Sequence, residues 1–541
     1  MSSINIQAIS IPETAIILTS VAIFLARKQR KIILLILILM SVSIVSVLVK
    51  NLNQTPCNSY IWVQIAFTLI LVYASFYALF RNRVNEICAG LIYGGSAIYL
   101  LKTNNLLVFF CLIEIMLVAG SYIIFGASTK SSRASGLRYL KMHILAGTFI
   151  LLGIIDHYET FYTFNFVKNN FYKIRLDDYA TYKHAFLAVG LLINSAIFPF
   201  SAWLPDSYPK ATNSGSLFLS IFTTKISLFF LSKIYWGEHS LIYFGIVTTC
   251  YASLYFILEN NLKRMSAYYM LIQNGLILCV IGLGGDKVEL NFQYILSCSA
   301  IYSFYMMYIT SYVSEMHKIN YFVDLKFEDK KQKVFLLILL GFILVIGLPY
   351  TISFVSKYLM LESRNSWLIY NLIYYSSIAI CIGSFGKMLC GISIGKDLKL
   401  KSFFDKRDFS YFLTFIILIL GGSFFYSKLD IRISSSVLIS KFVDLVVAIL
   451  TTKIFYKLIE NRKYNLLLDV DWFYRGLLMT VYKILLLGFI KLKNVAIAKK
   501  QTYKEVIGKL LVIVNGIETL GLNFVIIFSL TLLVVVFFFQ I

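Results

Sequence analysis

The sequence predicts an all-α, polytopic membrane protein, and three observations carry that prediction. Of its 541 residues, 59% are hydrophobic and only 14% are charged, where a soluble chain carries roughly 25% charged residues. The mean hydropathy is +0.78. Apolar runs long enough to cross a hydrocarbon core about 30 Å thick recur along almost the whole length. These runs are continuous and do not alternate polar with apolar residues, which excludes a β-barrel.

Taken in order, the first spans are expected at about 8–26 and 31–50, parted by the basic turn Arg27-Lys28-Gln29-Arg30-Lys31. The next pair, about 60–80 and 84–101, is parted by Arg81 and Arg83. Spans at about 105–127 and 133–155 follow, joined by a basic stretch between Lys130 and Lys141. A mixed-charge connection, 156–181, leads to spans at about 182–204 and 214–236. Between these two lies PFSAWLPDSYP, which holds three of the six prolines in the chain. Proline removes a backbone donor and clashes with the preceding turn, so a helix break is expected there. Spans at about 241–259, 262–284, 291–313, 334–358 and 366–392 come next, the twelfth interrupted by Gly347 and Pro349. The last are placed at about 409–427, 434–456 and 520–540. The basic run from about 472 to 519 is expected to lie laterally along a membrane face, because a further span would put Lys493, Lys499, Lys500 and Lys504 on the wrong side.

The odd-numbered connections carry most of the lysines and arginines, as do the later ones over Lys326–Lys333 and Lys396–Arg407. A positive-inside bias therefore puts the odd loops in the cytoplasm and the N-terminus outside. The same bias accounts for the net charge of +23 without nucleic acid. The first apolar run lacks a basic leader and runs straight into RKQRK and a second span, so it is expected to stay a span. The eight cysteines form no CxxC pair and the five histidines show no ligand spacing, so neither a disulfide framework nor a metal site is expected.

Charges inside the spans carry the functional signal. A charge at the bilayer centre costs roughly 2.5–3.5 kcal/mol on insertion scales and marks function more often than a structural ion pair. Glu114 sits mid-span in NNLLVFFCLIEIMLVAGSYIIFG, with a buried, hydroxyl-capped carboxyl as the plain alternative. Lys225 sits mid-span in SLFLSIFTTKISLFFLS, from where snorkelling to an interface is difficult. Lys263, in ENNLKRMSAYYMLIQNG, reads equally as an interfacial anchor paired with Arg264 and Glu259 or as a pathway member. Lys357 follows the break in GLPYTISFVSKYLML, where a lysine can face an internal hydrated cavity. Lys387 lies near the basic thirteenth loop and reads as snorkelling. Carboxylate and lysine neighbours exchange protons through trapped water. Such a row suits ion or solute transport and needs no cofactor.

The wording of these segments resembles a known family. INSAIFPFSAWLPDSYPKATNSGSLFLSIFTTKISLFFLSK is similar to the core signature of the proton-conducting membrane subunits shared by respiratory complex I, membrane-bound hydrogenases and Mrp-type sodium/proton antiporters. FFCLIEIMLVAGSY, ILENNLKRMSAYYMLIQNG and GLPYTISFVSKYLML extend the likeness over about 105–365. ATNSGSLFLSIFTTK and LDVDWFYRG look most like the D-like branch of the Mrp antiporter subunits. The resemblance implies a core of about fourteen helices in two inverted five-helix repeats, each with a broken helix, and a proton path along the midplane. It implies relay roles for Glu114, Lys225 and Lys357, and a less settled role for Lys263. Four positions depart from the family's pattern: Asn194 stands for its usual lysine, Ser201 for a histidine, and Cys298 and Tyr302 for a histidine–lysine pair.

On this reading residues 1–104 are N-terminal helices, 105–392 the conducting core, 393–456 its closing helices and 457–541 an extension with a lateral helix and a last span. The expected function is that of a monovalent cation (sodium)/proton antiporter subunit in a cell membrane. The expected partners are other membrane subunits, the lipid bilayer, protons and sodium, with no nucleic acid, no metal and no cofactor. The alternatives are a proton-pumping subunit of a complex I-type NADH:quinone oxidoreductase, and a non-conducting scaffold of the same fold. The chain has no Rossmann glycines, cysteine clusters or haem ligands, so any redox chemistry would belong to partner chains.

Overall fold

Helix-capping residues divide this apolar chain into elements. The computed structural model describes residues 11–54, 60–166, 182–318, 320–321, 347, 351–386 and 446–447. The helices are α1 (Ile11–Leu25), α2 (Arg30–Gln54), α3 (Ile61–Phe80), α4 (Val84–Leu100), α5 (Leu106–Phe125), α6 (Lys130–Phe161), α7 (Tyr182–Asn194), α8 (Trp203–Ser207), α9 (Asn213–Leu219), α10 (Phe222–Ile234), α11 (Ser240–Leu258), α12 (Leu262–Leu283), α13 (Asp286–His317), α14 (Ile352–Met360) and α15 (Ser366–Cys381). Asn105, Thr212, Asn261, Thr351 and Asn365 each cap a helix start by accepting a backbone N–H on the side-chain oxygen. Thr129 and Ser132 form a reciprocal capping box at the start of α6.

Among the described residues, seven segments are long and apolar enough to cross a membrane. The helix exteriors are apolar: Leu39, Leu69, Val118, Leu152, Leu254 and Trp367 are all exposed. Serines, asparagines and lysines are buried instead. An apolar outside over a partly polar inside is what a hydrocarbon solvent selects. The architecture is therefore that of a multi-pass membrane protein, and α12 sits at its centre, with its apolar window wholly buried against 39% for α11.

Two structural motifs recur in opposite orientations. Asn105 caps α5, the Leu106 amide bonds the Phe164 carbonyl at 2.8 Å, and α6 runs 32 residues to a left-handed Tyr162. Asn261 caps α12, the Leu262 amide bonds the Asn320 carbonyl at 2.9 Å, and α13 runs 32 residues to a left-handed Lys318. Each unit is closed by one antiparallel bridge, Asn105 to Asn165 and Asn261 to Tyr321. Arg27, Lys28, Arg83, Gly126 and Ser128 line one open pocket, so the first, third and fifth connections share a face. Arg81 pairs with Glu315 at 2.9 Å, which brings the end of α13 to that same face. The first bridge lies at the opposite end of α5 and the second on the basic face. The two units are thus inverted, as the sequence resemblance implies.

Several boundaries differ from the sequence expectation. The sixth and eleventh spans extend to 130–161 and 286–317, because polar first turns such as KSSRASG continue the helix. The seventh stops at Asn194, short of 204, and the eighth is interrupted between Leu219 and Phe222, with the Ser220 hydroxyl bonding the Leu217 carbonyl at 2.8 Å. The thirteenth ends in a π-helical turn at Ile382–Gly386. Lys387, Pro349, the expected spans at 409–427 and 520–540, and the segment 457–519 lie outside the described residues, as does the span at 434–456 apart from residues 446–447.

A buried polar axis as candidate functional site

The break after α7 is where the site is assembled. Pro199 cannot continue a helix, and Ala196 adopts a left-handed φ of 57°. Pro205 falls in the first turn of α8, where a missing N–H costs little. The backbone groups freed by the break are taken up by side chains from other elements. Trp203 Nε1 donates to the Ile193 carbonyl at 3.0 Å, Asn274 Nδ2 donates to the Ser195 carbonyl at 2.9 Å, and the Phe198 amide donates to Thr248 Oγ1 at 3.1 Å. Irregular backbone at membrane depth survives only when so satisfied.

Asn274 ties this break to Lys225. Lys225 is 1% exposed, and its Nζ donates to Asn274 Oδ1 at 2.8 Å. The asparagine thus spans an ammonium and a carbonyl, and only one orientation of its amide serves both. Beside it on α12, Gln273 Oε1 accepts from the Tyr302 hydroxyl at 2.8 Å. That hydroxyl lies 3.4 Å from Ser356 Oγ on α14. The next residue, Lys357, is 3% exposed and donates to Ser377 Oγ at 3.1 Å. Gly347, at φ 87°, closes over this lysine, and a Cβ there would come within 3.3 Å of Nζ. Two hydrogen-bonded groups of buried polar side chains, Lys225–Asn274 and Gln273–Tyr302–Ser356, therefore start from adjacent residues of α12, and the second ends one residue before Lys357.

Among the described residues no hydrogen bond joins Glu114 to this axis. It is partly buried on α5, and its Oε1 rests against Gly147 of α6. Among the described residues it has no hydroxyl cap. A Cβ at position 147 would collide with that oxygen. Gly147→Ala is therefore expected to swing the carboxyl away at little cost to folding, because the colliding atom ends a flexible side chain and alanine favours the helix by about 1 kcal/mol. A yield and a melting temperature of the purified protein close to those of the parent are the expected result.

Of the lysines singled out in the sequence, the three within the described residues each donate to a neutral side chain: Lys225 to Asn274, Lys357 to Ser377, and Lys263 to Asn213 Oδ1 at the start of α9. The Arg264–Glu259 pair closes at 3.1 Å without Lys263. Tyr302, which replaces an ionisable residue of the family pattern, is the hydroxyl that bridges the two halves of the axis. Cys298, one turn away, is fully buried. Asn194 and Ser201 are fully buried too, and neither amide atom of Asn194 nor the Ser201 hydroxyl has a partner among the described residues. Unpartnered buried polar groups of this kind are where proteins hold internal water.

Four members of the site region carry little sequence signal. Gln273 and Asn274 are neutral, and only their adjacency in the apolar run YYMLIQNGLILCV marks them. Glu86 is buried at the basic pocket and accepts from Thr212 Oγ1, at 2.9 Å, and from Ser214 Oγ. Thr212 and Ser214 flank the Asn213 that holds Lys263. Lys233, at the far end of α10, sits among the rings of Tyr60, Phe166, Phe229 and Phe230 at 4.7–5.7 Å.

This arrangement of a broken helix beside a buried lysine coincides with a family match. The profile described as NADH:quinone oxidoreductase/Mrp antiporter, TM, matches residues 103–383. The chain belongs to this family. Among relatives of the NADH:quinone oxidoreductase/Mrp antiporter family, the chain is 24% identical over 199 residues to the D component of a probable K(+)/H(+) antiporter of Rhizobium meliloti, covering 34% of this chain and 36% of that one. It is 23% identical over 312 residues to the M component of NADH-quinone oxidoreductase of Rickettsia prowazekii, covering 54% and 62%. The matched stretches thus span between about a third and three fifths of these relatives' own lengths. The fold is similar to a chain of the Mrp complex from Dietzia sp., with a TM-score of 0.62 at 17% identity over 71% of this chain and 79% of that one. It is likewise similar to a chain of respiratory complex I from Thermus thermophilus, with a TM-score of 0.61 at 18% identity over 76% and 96%.

Proposed function

We propose that this chain is a membrane subunit of a hetero-oligomeric monovalent cation/proton antiporter and relays protons through Glu114, Lys225 and Lys357, with Lys263 serving the basic face. The observation that carries this reading is Lys225: fully buried, in the first turn of α10 beside the interruption of the eighth span, and bonded to a neutral asparagine instead of a carboxylate. A structural ion pair would supply a counter-charge, and a buried charge without one is costly. A lysine held by a neutral acceptor is free to gain and lose a proton without breaking a salt bridge. The Tyr302 hydroxyl and the Gln273–Asn274 pair supply the neutral links that a proton chain needs.

The core of this unit is residues 105–392, and the chain sits in a cell membrane with its N-terminus outward. The clustering of the basic turns around one pocket supports that orientation. Sodium is the proposed coupling ion, through this chain or a partner. A second reading, a proton-pumping subunit of a complex I-type enzyme, is favoured by the longer of the two matches described, that to the oxidoreductase component. Subunits co-purified from native membrane separate the two: small antiporter subunits support the first, flavin and iron–sulfur subunits the second. The relay itself is tested by Lys225→Ala in the complete complex, in vesicles loaded with a pH-sensitive dye. Loss of cation-dependent proton flux supports it, and unchanged flux overturns it.

A further inference from the structure

We infer that the open pocket on the basic face holds the phosphate headgroup of an anionic phospholipid, whose acyl chains run along the outside of α5. The pocket has a volume of about 590 Å³, within the range of small-molecule sites. Three segments meet around it: the turn between α1 and α2, the start of α4 and the end of α5. Arg27 and Lys28 come from the first, and Arg83 from the residue that precedes α4. Asn82 and Asn85 add amide donors on either side of Arg83.

These cations are not spent on carboxylates. Arg27 and Lys28 are exposed, and neither forms an ion pair among the described residues. Arg27 lies over the Phe24 ring at 4.9 Å, which holds its guanidinium at the end of an apolar helix. Among the described residues the lining contains one carboxylate, Glu86, against three cations. Glu86 is 4% exposed, and one of its oxygens accepts from Thr212 Oγ1 and Ser214 Oγ at the start of α9. Its other oxygen lies 3.9 Å from Arg83. The pocket therefore keeps an excess of positive charge toward a ligand.

The apolar part of the pocket points to a lipid and not to a soluble anion. Val84, Tyr122 and Phe125 line it. Tyr122 is 49% exposed and continues a stripe with Val118 and Ile115, which are exposed and lie four and seven residues earlier on α5. The stripe leads from the pocket along a helix long and apolar enough to span the bilayer. A ligand that fills both has a negatively charged head and an apolar tail. A choline or ethanolamine headgroup would place its own cation among Arg27, Lys28 and Arg83, so the pocket selects lipids of net negative charge. Each such side chain favours an anionic lipid by about fivefold.

The test uses the complete complex in phosphatidylcholine vesicles that contain a small fraction of a photoactivatable phospholipid, with the diazirine on an acyl chain. A phosphatidylglycerol probe and a phosphatidylcholine probe are compared, and labelled peptides are mapped by mass spectrometry. The phosphatidylglycerol probe is expected to label the α5 peptide about tenfold or more over the phosphatidylcholine probe. Replacing Arg27, Lys28 and Arg83 together by glutamine is expected to bring the two probes within about threefold of each other. Should that variant fail to assemble, Arg27→Gln with Lys28→Gln, which changes only exposed side chains, is expected to cut the preference at least fivefold and decides on the same terms. Inorganic phosphate added at constant ionic strength is expected to leave the labelling unchanged. Equal labelling by the two probes overturns the inference, as does a preference that survives loss of the cations. Absence of label on α5, the result if a partner subunit covers this face, overturns it too, and so does displacement by inorganic phosphate, the mark of a soluble-anion site. The readout is binding and not flux, so its failure leaves the proposed relay standing.

Discussion

Lys225→Ala is expected to lower proton-coupled cation flux on the order of 10²-fold or more, while the complex still assembles. The side chain is the titratable group bonded to Asn274, and Asn274 is the link between α10 and the α7 break. Removing it leaves Asn274 Oδ1 without its donor, at a cost of about 1–3 kcal/mol. It also removes an ammonium whose place in the membrane interior is itself unfavourable by several kcal/mol. The two effects oppose each other, so the amount of assembled complex is expected to change little. Lys225→Arg sharpens the expectation. Arginine keeps the charge and the donors but stays protonated, so it is expected to be as inactive as alanine. Yield of co-purified complex and dye-reported flux, measured on the same vesicles, check both.

The second large effect is expected at Tyr302. Tyr302→Phe keeps the ring, which packs edge-to-face on Tyr269 at 5.8 Å, and deletes only the hydroxyl. That hydroxyl is the contact between Gln273 on α12 and Ser356 on α14. Without it Gln273 is buried with both ends of its amide unpaired, since Nε2 already has no partner among the described residues. About 1–3 kcal/mol of stability is expected to be lost, visible as a lower melting temperature of the purified complex. Flux is expected to fall by about ten- to a hundredfold with Lys225 and Lys357 both intact. Unchanged flux would mean that protons reach Lys357 by a route that avoids α13.

How much of this is legible in the sequence depends on the chemistry of each residue. Long apolar runs follow from the solvent, the inverted architecture is implied by the family resemblance alone, and the first helix break follows from the prolines that begin at Pro199. The break between α9 and α10 contains neither proline nor glycine in the interrupted turn, so no local signal marks it. Buried charges stand out because their cost in a membrane is large, and Glu114, Lys225, Lys263 and Lys357 are all visible that way. Neutral links cost less and leave no such trace. Gln273, Asn274 and the Tyr302 hydroxyl acquire meaning only when helices distant in sequence bring them together. In the sequence Tyr302 reads as a missing ionisable link, yet its hydroxyl is placed where the two halves meet.

The central claim is that protons move through this chain by way of buried side chains, and Glu114→Gln tests it most directly. Glutamine keeps the size and polarity of the side chain that rests on Gly147 but cannot release a proton at the carboxyl. The measurement is cation-dependent proton flux across vesicles holding the complete complex, parent against Glu114→Gln at equal assembled protein. The relay predicts a fall of about 10²-fold with subunit composition unchanged. Parental flux in the glutamine variant would contradict it.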